Sequence, residues 1–368
     1  MKSANQPIAP GGTIGILGSG QLGRMLALAA GKLGLKTHIY CDSSGPAFDV
    51  ATARTIAQFD DTASLDAFAR SVGAVTYEFE NIPLATVTHL EGLIPVRPGS
   101  KALACAQDRL NEKQLARDLG AMTADFASVD SLDELRARLA GQITAPCILK
   151  TRRFGYDGKG QAKIVSVADA EAAWLAIGAK PAILEQFVDF SREVSVVAVR
   201  GADGAFEAYD VTENEHRDHI LHRSVVPAKL QRDTAARAVE IAARIAAALD
   251  YVGVFAVEFF ALESGSTEAL YVNEIAPRVH NSGHWTMDAC LCSQFENHIR
   301  AVAGWPLGST RRHADAEMIN LIGAEANGWA QIAAERGASV HLYGKRDARP
   351  GRKMGHLNRL HARDGKGM

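Results

Sequence analysis

Residues 13–41 constrain this chain most, because a strand, a glycine cluster, a helix and a second strand follow one another there without a break. Thr13-Ile14-Gly15-Ile16-Leu17 is a short apolar run, Gly18-Ser19-Gly20-Gln21-Leu22-Gly23 permits a tight turn, and Arg24 to Leu35 carries its apolar residues on one helical face. Lys36 to Cys41 is strand-like again and stops at Asp42-Ser43-Ser44-Gly45-Pro46. The alternation continues with a helix near Ser64–Ser71 and a strand at Ala74–Tyr77. Strands that alternate with helices imply βαβ units and a parallel sheet. A Rossmann-like α/β domain over residues 1–99 is therefore expected, ending near Pro98-Gly99.

The pattern then changes. Lys101 to Leu119 reads as one long helix closed by Gly120. An α+β region follows, with strands expected at Cys147–Lys150, Ala162–Val167, Ala182–Gln186 and Glu193–Arg200, an Ala-rich helix over Asp233–Leu249, and strands at Val252–Leu262 and Ala269–Ile275. From about Arg311 a small tail shows strand–helix–strand signals and basic residues. The expected division is 1–99, 100–310 with a lid subdomain at about 121–188, and 311–368.

Composition narrows the function classes. Over 368 residues, 40 Lys+Arg against 42 Asp+Glu leave a formal charge of −2, with no electrostatic footprint for nucleic acid. The longest apolar stretch, Met25 to Ala30, falls far short of the roughly 20 residues of a membrane helix. MKSANQPIAPGG has no apolar segment of the kind a secretory signal needs. Five cysteines without C-x-x-C spacing fit reduced thiols in a cytoplasmic protein.

Two glycine loops carry the first chemical signals. Gly18, Gly20 and Gly23 expose backbone N–H groups at a helix N-terminus, a setting that favours a phosphate. With Asp42 after the second strand this fits a nicotinamide oxidoreductase, or merely a tight βα turn. The second loop, Gly155 to Gln161, lies between two strands and is flanked by Lys150, Arg152, Arg153 and Lys159. It is no Walker loop, since no helix follows it; a hairpin folded over a triphosphate explains its glycines and cations better than a solvated turn.

Two glutamates add a third signal. Glu258 lies in Phe255-Ala256-Val257-Glu258-Phe259-Phe260 and Glu274 in Tyr271-Val272-Asn273-Glu274-Ile275. A carboxylate within an apolar strand is costly to bury unless paired or bound to metal. On neighbouring antiparallel strands the two could converge on Mg²⁺ bridging nucleotide phosphates; the plain alternative is a pair of edge glutamates facing water. His280, His284, Cys290 and Cys292 match no zinc framework. Gly351-Arg352-Lys353-Met354-Gly355 would, alone, be a basic surface.

Together these residues resemble the ATP-grasp superfamily and, within it, the 5-(carboxyamino)imidazole ribonucleotide synthases. Nearly the whole chain carries the resemblance, through Gly18–Met25, Tyr77–Pro83, Gln107–Lys113, Phe154–Gln161, Glu185–Val188, Glu213–His216, Asn273–Arg278, His280–Trp285 and Gly351–Gly355. It implies an ATP-grasp fold with a Rossmann-like N-terminal domain and a small C-terminal lobe, and an ATP-dependent carbon–nitrogen ligase of purine biosynthesis. The reaction implied is carboxylation of 5-aminoimidazole ribonucleotide by bicarbonate through carboxyphosphate, releasing ADP and phosphate.

By the same resemblance, Arg109, Lys150, Gly155, Tyr156, Asp157, Gly158, Lys159, Gly160, Gln161, Glu185, Gln186, Phe187, Val188, Glu193, His216, Asn273 and Glu274 hold ATP. Glu258 and Glu274 hold Mg²⁺, with Mn²⁺ as a substitute. Gln21, Leu22, Glu78, Asn281, Lys345, Arg352 and Lys353 bind the ribonucleotide, the first glycine loop and the basic tail cradling its phosphate. Tyr156, Asp157, Lys159, Arg278 and His280 lie where the substrates meet. Ala276 stands where many relatives place a metal-binding asparagine, so no third protein ligand is expected. A cytoplasmic homodimer is implied. The alternatives are a sister ligase, such as the formate-dependent glycinamide ribonucleotide transformylase, and an NAD-dependent oxidoreductase.

Overall fold

A computed structural model of the chain describes residues 6–155, 158–265 and 267–363. Its N-terminal part is the expected parallel layer. Strands β1 (Thr13–Leu17), β2 (Lys36–Cys41), β3 (Ala53–Ile56) and β4 (Ala74–Tyr77) form a sheet in the order β3-β2-β1-β4, interleaved with helices α1 (Gln21–Lys32) and α2 (Thr62–Ser71). Helix α3 (Leu84–Glu91) follows. The buried residues of α1, among them Leu22, Met25, Leu26 and Ala30, recur at helical spacing. They share one core with Phe295, Ile299 and Val302 of a later helix, so this domain has no separable interior on that side.

The expected long helix is two. Helix α4 (Ser100–Ala106) stops at Gln107, and α5 (Arg109–Asp118) restarts with Asp108 as its N-cap, the carboxylate accepting from Leu110 N at 3.0 Å. An aspartate that caps a new helix competes with continuation of the old one. The break turns Gln107, Asp108 and Arg109 toward other segments.

Next comes a small antiparallel layer: β5 (Phe126–Val129), α6 (Leu132–Gly141), β6 (Cys147–Thr151), β7 (Gln161–Ile164), α7 (Ala170–Ala176) and β8 (Ala182–Gln186), in sheet order β5-β8-β6-β7. It has its own apolar core, including Leu135, Leu149, Trp174 and Leu184. The second glycine loop is the β6–β7 connection.

The central sheet has nine strands among the described residues. It is built from β9 (Arg192–Arg200), β10 (Phe206–Ala208), β11 (Thr212–Arg217), β12 (Ile220–Val226), β13 (Gly253–Ser264) and β14 (Thr267–Ala276), with α8 (Arg232–Ala248) packed on one face. After α9 (Thr286–Ala289) and α10 (Gln294–Ala303), the tail contributes β15 (Asp315–Ile322), α11 (Trp329–Ala333), β16 (Ala338–Leu342) and β17 (Lys353–His361). Pairing of β12 with β15 joins the tail to the central sheet, so Lys353 is carried at the start of a strand of that sheet.

Candidate active site

Glu258 and Glu274 are direct cross-strand partners on β13 and β14. Val257 and Phe259, the neighbours of Glu258, are buried in the core that includes α8, and strand alternation turns Glu258 to the opposite face. The register shifts immediately after Glu258, leaving Asn273 as the extra residue of a β-bulge, a device that re-aims side chains beside sites.

Neither carboxylate stands alone. His280 Nε2 lies 3.1 Å from Glu258 Oε1, and Arg109 Nη1 donates to Glu274 Oε2 at 3.0 Å. Ser282 holds the other ring nitrogen, its Oγ 2.9 Å from His280 Nδ1, so that Nε2 faces Glu258. Burial pushes the Glu258 carboxyl up, but the His280 hydrogen bond and charge, with His216 and Lys353 behind them, hold it below the ordinary range. Asn273 Oδ1 is buried and has no hydrogen-bond partner.

Two carboxylates beside an orphaned amide oxygen form the hard oxygen set that suits Mg²⁺. No group of three or more His, Cys, Asp or Glu arranged to hold a metal occurs among the described residues. A metal held here would take the rest of its coordination shell from oxygens outside these side chains.

The lid layer faces this pair with cations. Lys150 Nζ donates to Glu185 Oε2 at 2.8 Å, and Lys113 Nζ approaches the same oxygen at 3.6 Å. Burial would raise the Glu185 carboxyl; the charges of Lys113 and Lys150 bring it down to about 2. Lys113, 1% exposed, also donates to Val272 O at 3.1 Å and so ties α5 to β14. Sequence reasoning gave Lys113 no role, since a lysine within a polar helix reads as solvated. Arg109 spans the gap, donating also to Gly155 O at 3.2 Å in the glycine loop. Tyr156 and Asp157 lie outside the described residues.

Other expected nucleotide residues divide. Glu193 and His216, on paired strands, form an ion pair; burial lowers the His216 pKa, but the Glu193 bond and charge outweigh that and raise it. Both line a cavity of about 330 Å³ with Phe190, Arg192, Asn214 and Arg223. Phe190 stacks on Phe260, ring centroids 4.6 Å apart, adding an aromatic face that the sequence reading did not single out. Gln186 is turned away: its side chain accepts from Thr144 N and donates to Thr144 O and Pro146 O, and its backbone N–H donates to Asp125 O at 2.7 Å. Lys163 Nζ sits 4.4 Å above the Phe187 ring.

At the first glycine loop the structure departs from expectation. The Glu78 carboxylate accepts from Gly20 N and, at 2.5 Å, from Gly23 N, so the anion at the N-terminus of α1 is the protein's own. A Cβ on Gly20 would meet Glu78 Oε1 at 2.7 Å, which explains glycine there. Those amides cradle no substrate phosphate in this arrangement, and the same occupancy removes the pyrophosphate seat of the nicotinamide reading. Leu22, expected at the ribonucleotide, is buried in the interdomain core, while Gln21 begins α1.

The tail carries further cations. Lys345 Nζ donates to Lys353 O at 2.7 Å, and burial, with the charges of Arg352 and Lys353, lowers its pKa to about 8. Asn281 is held by reciprocal amide bonds with Asn320. Arg278 is clasped by Glu80, to which it donates through Nε and, at 3.1 Å, through Nη2. Burial would raise the Glu80 carboxyl, but Arg278 holds it at about 2.

Comparison with known proteins identifies the assembly. Residues 12–107 match the ribonucleotide synthetase preATP-grasp domain, 114–295 the ATP-grasp domain, and 316–366 the phosphoribosylaminoimidazole carboxylase C-terminal domain. The N5-carboxyaminoimidazole ribonucleotide synthase of Brucella melitensis is 48% identical over 359 residues, covering 97% of this chain and 98% of that one. The chain belongs to the N5-carboxyaminoimidazole ribonucleotide synthase family. A crystal structure of the Thermus thermophilus N5-carboxyaminoimidazole ribonucleotide synthetase superposes with a TM-score of 0.88 at 45% identity, covering 96% of this chain and 94% of that one. The Aspergillus clavatus N5-carboxyaminoimidazole synthase, solved with ADP and 5-aminoimidazole ribonucleotide, superposes with a TM-score of 0.88 at 29% identity, covering 95% and 94%. Membership in this N5-carboxyaminoimidazole ribonucleotide synthase family makes the chain an ATP-dependent ligase with an ATP-grasp fold, as its motifs implied, and not an oxidoreductase.

Proposed function

We propose that the chain uses ATP and bicarbonate to carboxylate the amine of 5-aminoimidazole ribonucleotide, releasing ADP and phosphate. The observation that carries this reading is a shared sheet: β17, which begins at Lys353, is joined through β15 and β12 to the strands that carry His216, Glu193, Glu258 and Glu274. The reading sets the seat of a ribose phosphate on the tail and that of a nucleotide's metal at the carboxylate pair.

In this reading Lys150 and Arg109 steer the polyphosphate, Glu193 accepts from the ribose hydroxyls, and Phe190 with Phe260 offers an apolar face to the base. Glu258 and Glu274 would hold Mg²⁺, which neutralises phosphate charge when bound. Arg278 and His280, fixed by Glu80 and Ser282, face the region where bicarbonate is phosphorylated to carboxyphosphate and the amine attacks its carbon. Phosphoryl transfer asks mainly for positioning and charge neutralisation, which these fixed cations provide. Lys345, Arg352 and Lys353 take the ribonucleotide phosphate. A cytoplasmic homodimer belongs to the same proposal; no helix among the described residues is long and apolar enough to cross a membrane.

The test is phosphate release from ATP with bicarbonate, screened against aminoimidazole and glycinamide ribonucleotides. Stimulation by the aminoimidazole nucleotide, with one carboxylated product per phosphate, is expected. Stimulation by glycinamide ribonucleotide and formate instead would overturn the reading in favour of the sister ligase.

A further inference from the structure

The helix break at Gln107 leaves a buried amide between three segments that sequence keeps far apart. Gln107 is 7% exposed. Its Nε2 donates to Glu80 O at 2.8 Å and to Ile82 O at 2.6 Å, while its Oε1 accepts from Arg153 Nη2 at 2.7 Å. Arg153 stands at the foot of the second glycine loop, and the Glu80 side chain clasps Arg278. An unbroken series of hydrogen bonds thus runs from Arg278 through Glu80 and Gln107 to the lid.

The chemistry of each link is specific. Only a primary amide of this length donates twice and accepts at once; a glutamate would set a carboxylate oxygen against two carbonyls, and an aliphatic chain would leave those carbonyls unpaired. The neighbours of Gln107 reinforce the lid end. Asp108 accepts from Arg152 Nε at 3.1 Å and from Arg152 Nη2 at 2.6 Å, and Arg109 N donates to Arg152 O at 3.0 Å. Arg153 fixes the oxygen of the amide while its two donated bonds fix the Glu80 and Ile82 carbonyls, so the loop foot and the Glu80 backbone share one group.

We propose that Gln107 and Glu80 are positioning residues that couple the seating of the glycine-loop lid to the placement of Arg278 where the two substrates meet. The inference rests on the function proposed above. Its consequence is coupling: ATP is committed only when the acceptor end is in place, so carboxyphosphate is not lost to water.

The experiment measures phosphate released and ribonucleotide carboxylated in parallel, in the full chain and in Gln107→Met, Arg153→Met and the double variant. Each single change is expected to raise the phosphate-to-product ratio by about fivefold, and the double variant no further, because both cut one connection. Asp61→Ala, which removes the cap of α2 where Asp61 accepts from Ser64 N, is expected to lower Tm without moving the ratio. Glu80→Gln, which keeps the backbone carbonyl and loosens Arg278, is expected to uncouple as well and carries the test if Gln107→Met fails to fold. Folded variants that keep the wild-type ratio, or a double variant equal to the product of the singles, would overturn the proposal. Wild type that ignores aminoimidazole ribonucleotide altogether would instead overturn the functional reading.

Discussion

The two glycine loops look alike as sequence and differ as chemistry. The first is a sealed corner: Gly18 has φ +107°, and the amides of Gly20 and Gly23 are already paired with Glu78. The second spans two strands of a small layer, is closed at its base by Thr151 N donating to Gly160 O at 2.8 Å, and is surrounded by Arg109, Lys150 and Arg153. Glycine in the first loop permits close approach of a fixed carboxylate; in the second it permits a hairpin to fold over a ligand. A glycine pattern therefore announces backbone freedom, and the neighbouring charges decide its use.

The largest expected effect lies on the nucleotide side. Glu274→Gln removes a charge from the carboxylate pair and is expected to lower turnover by at least about 10³-fold, with a normal melting transition. Near-wild-type turnover at saturating Mg²⁺ would show that the pair facing the lid is not the metal seat. Next, Gly20→Ala forces a Cβ against Glu78 and is expected to cost about 1–3 kcal/mol, read as a fall in Tm. Gly158→Ala, in the other loop, sets a Cβ 2.6 Å from His219 Cβ at a backbone φ of +75°, and is expected to lower Tm as well but to reduce turnover beyond what that fall explains. The reverse pattern would break the contrast between a structural and a working loop.

Much of the fold was legible beforehand, for identifiable reasons, while the contrast between the loops was not. Thr13–Leu17, Lys36–Cys41, Ala74–Tyr77 and Ala182–Gln186 are strands as expected, because apolar runs bounded by glycine, proline or polar turns leave little choice. The β11–β12 hairpin escaped: Thr212–Arg217 is polar, and the turn residues Asp218 and His219 adopt positive φ without a glycine to mark it. The split at Gln107 escaped because a helical pattern continues through it and masks the local cap signal of Asp108, while the contacts with Arg152, Arg153 and Glu80 that reinforce the stop are tertiary. The glutamate pair was legible because a charge in an apolar strand demands a partner. The packing of Glu80 and Lys113 was not, although both lie in segments that carry the resemblance, since a charged side chain set against another element leaves no periodic trace.

Smaller effects belong to the acceptor end. Lys353→Ala is expected to weaken ribonucleotide binding by about 1.5–3 kcal/mol, read as a raised KM for that substrate, and to change the KM for ATP less. Equal loss for ATP would move the tail's charge to the nucleotide. Smallest is a pH effect. Lys345, held at about 8, loses its positive charge as pH rises through that value, so kcat/KM for the ribonucleotide is expected to fall on the alkaline side. Lys345→Arg keeps its charge and is expected to remove that limb; a limb unchanged in the variant would assign the titration elsewhere.

The most direct measurement is amide hydrogen exchange across both glycine loops in one sample, with and without ATP. Protection of Gly155–Gln161 on adding nucleotide, with exchange at Gly18–Gly23 unchanged, is the predicted result. Protection gained at Gly18–Gly23 while Gly155–Gln161 exchanges as before would contradict it, because the nucleotide would then sit at the corner that Glu78 fills.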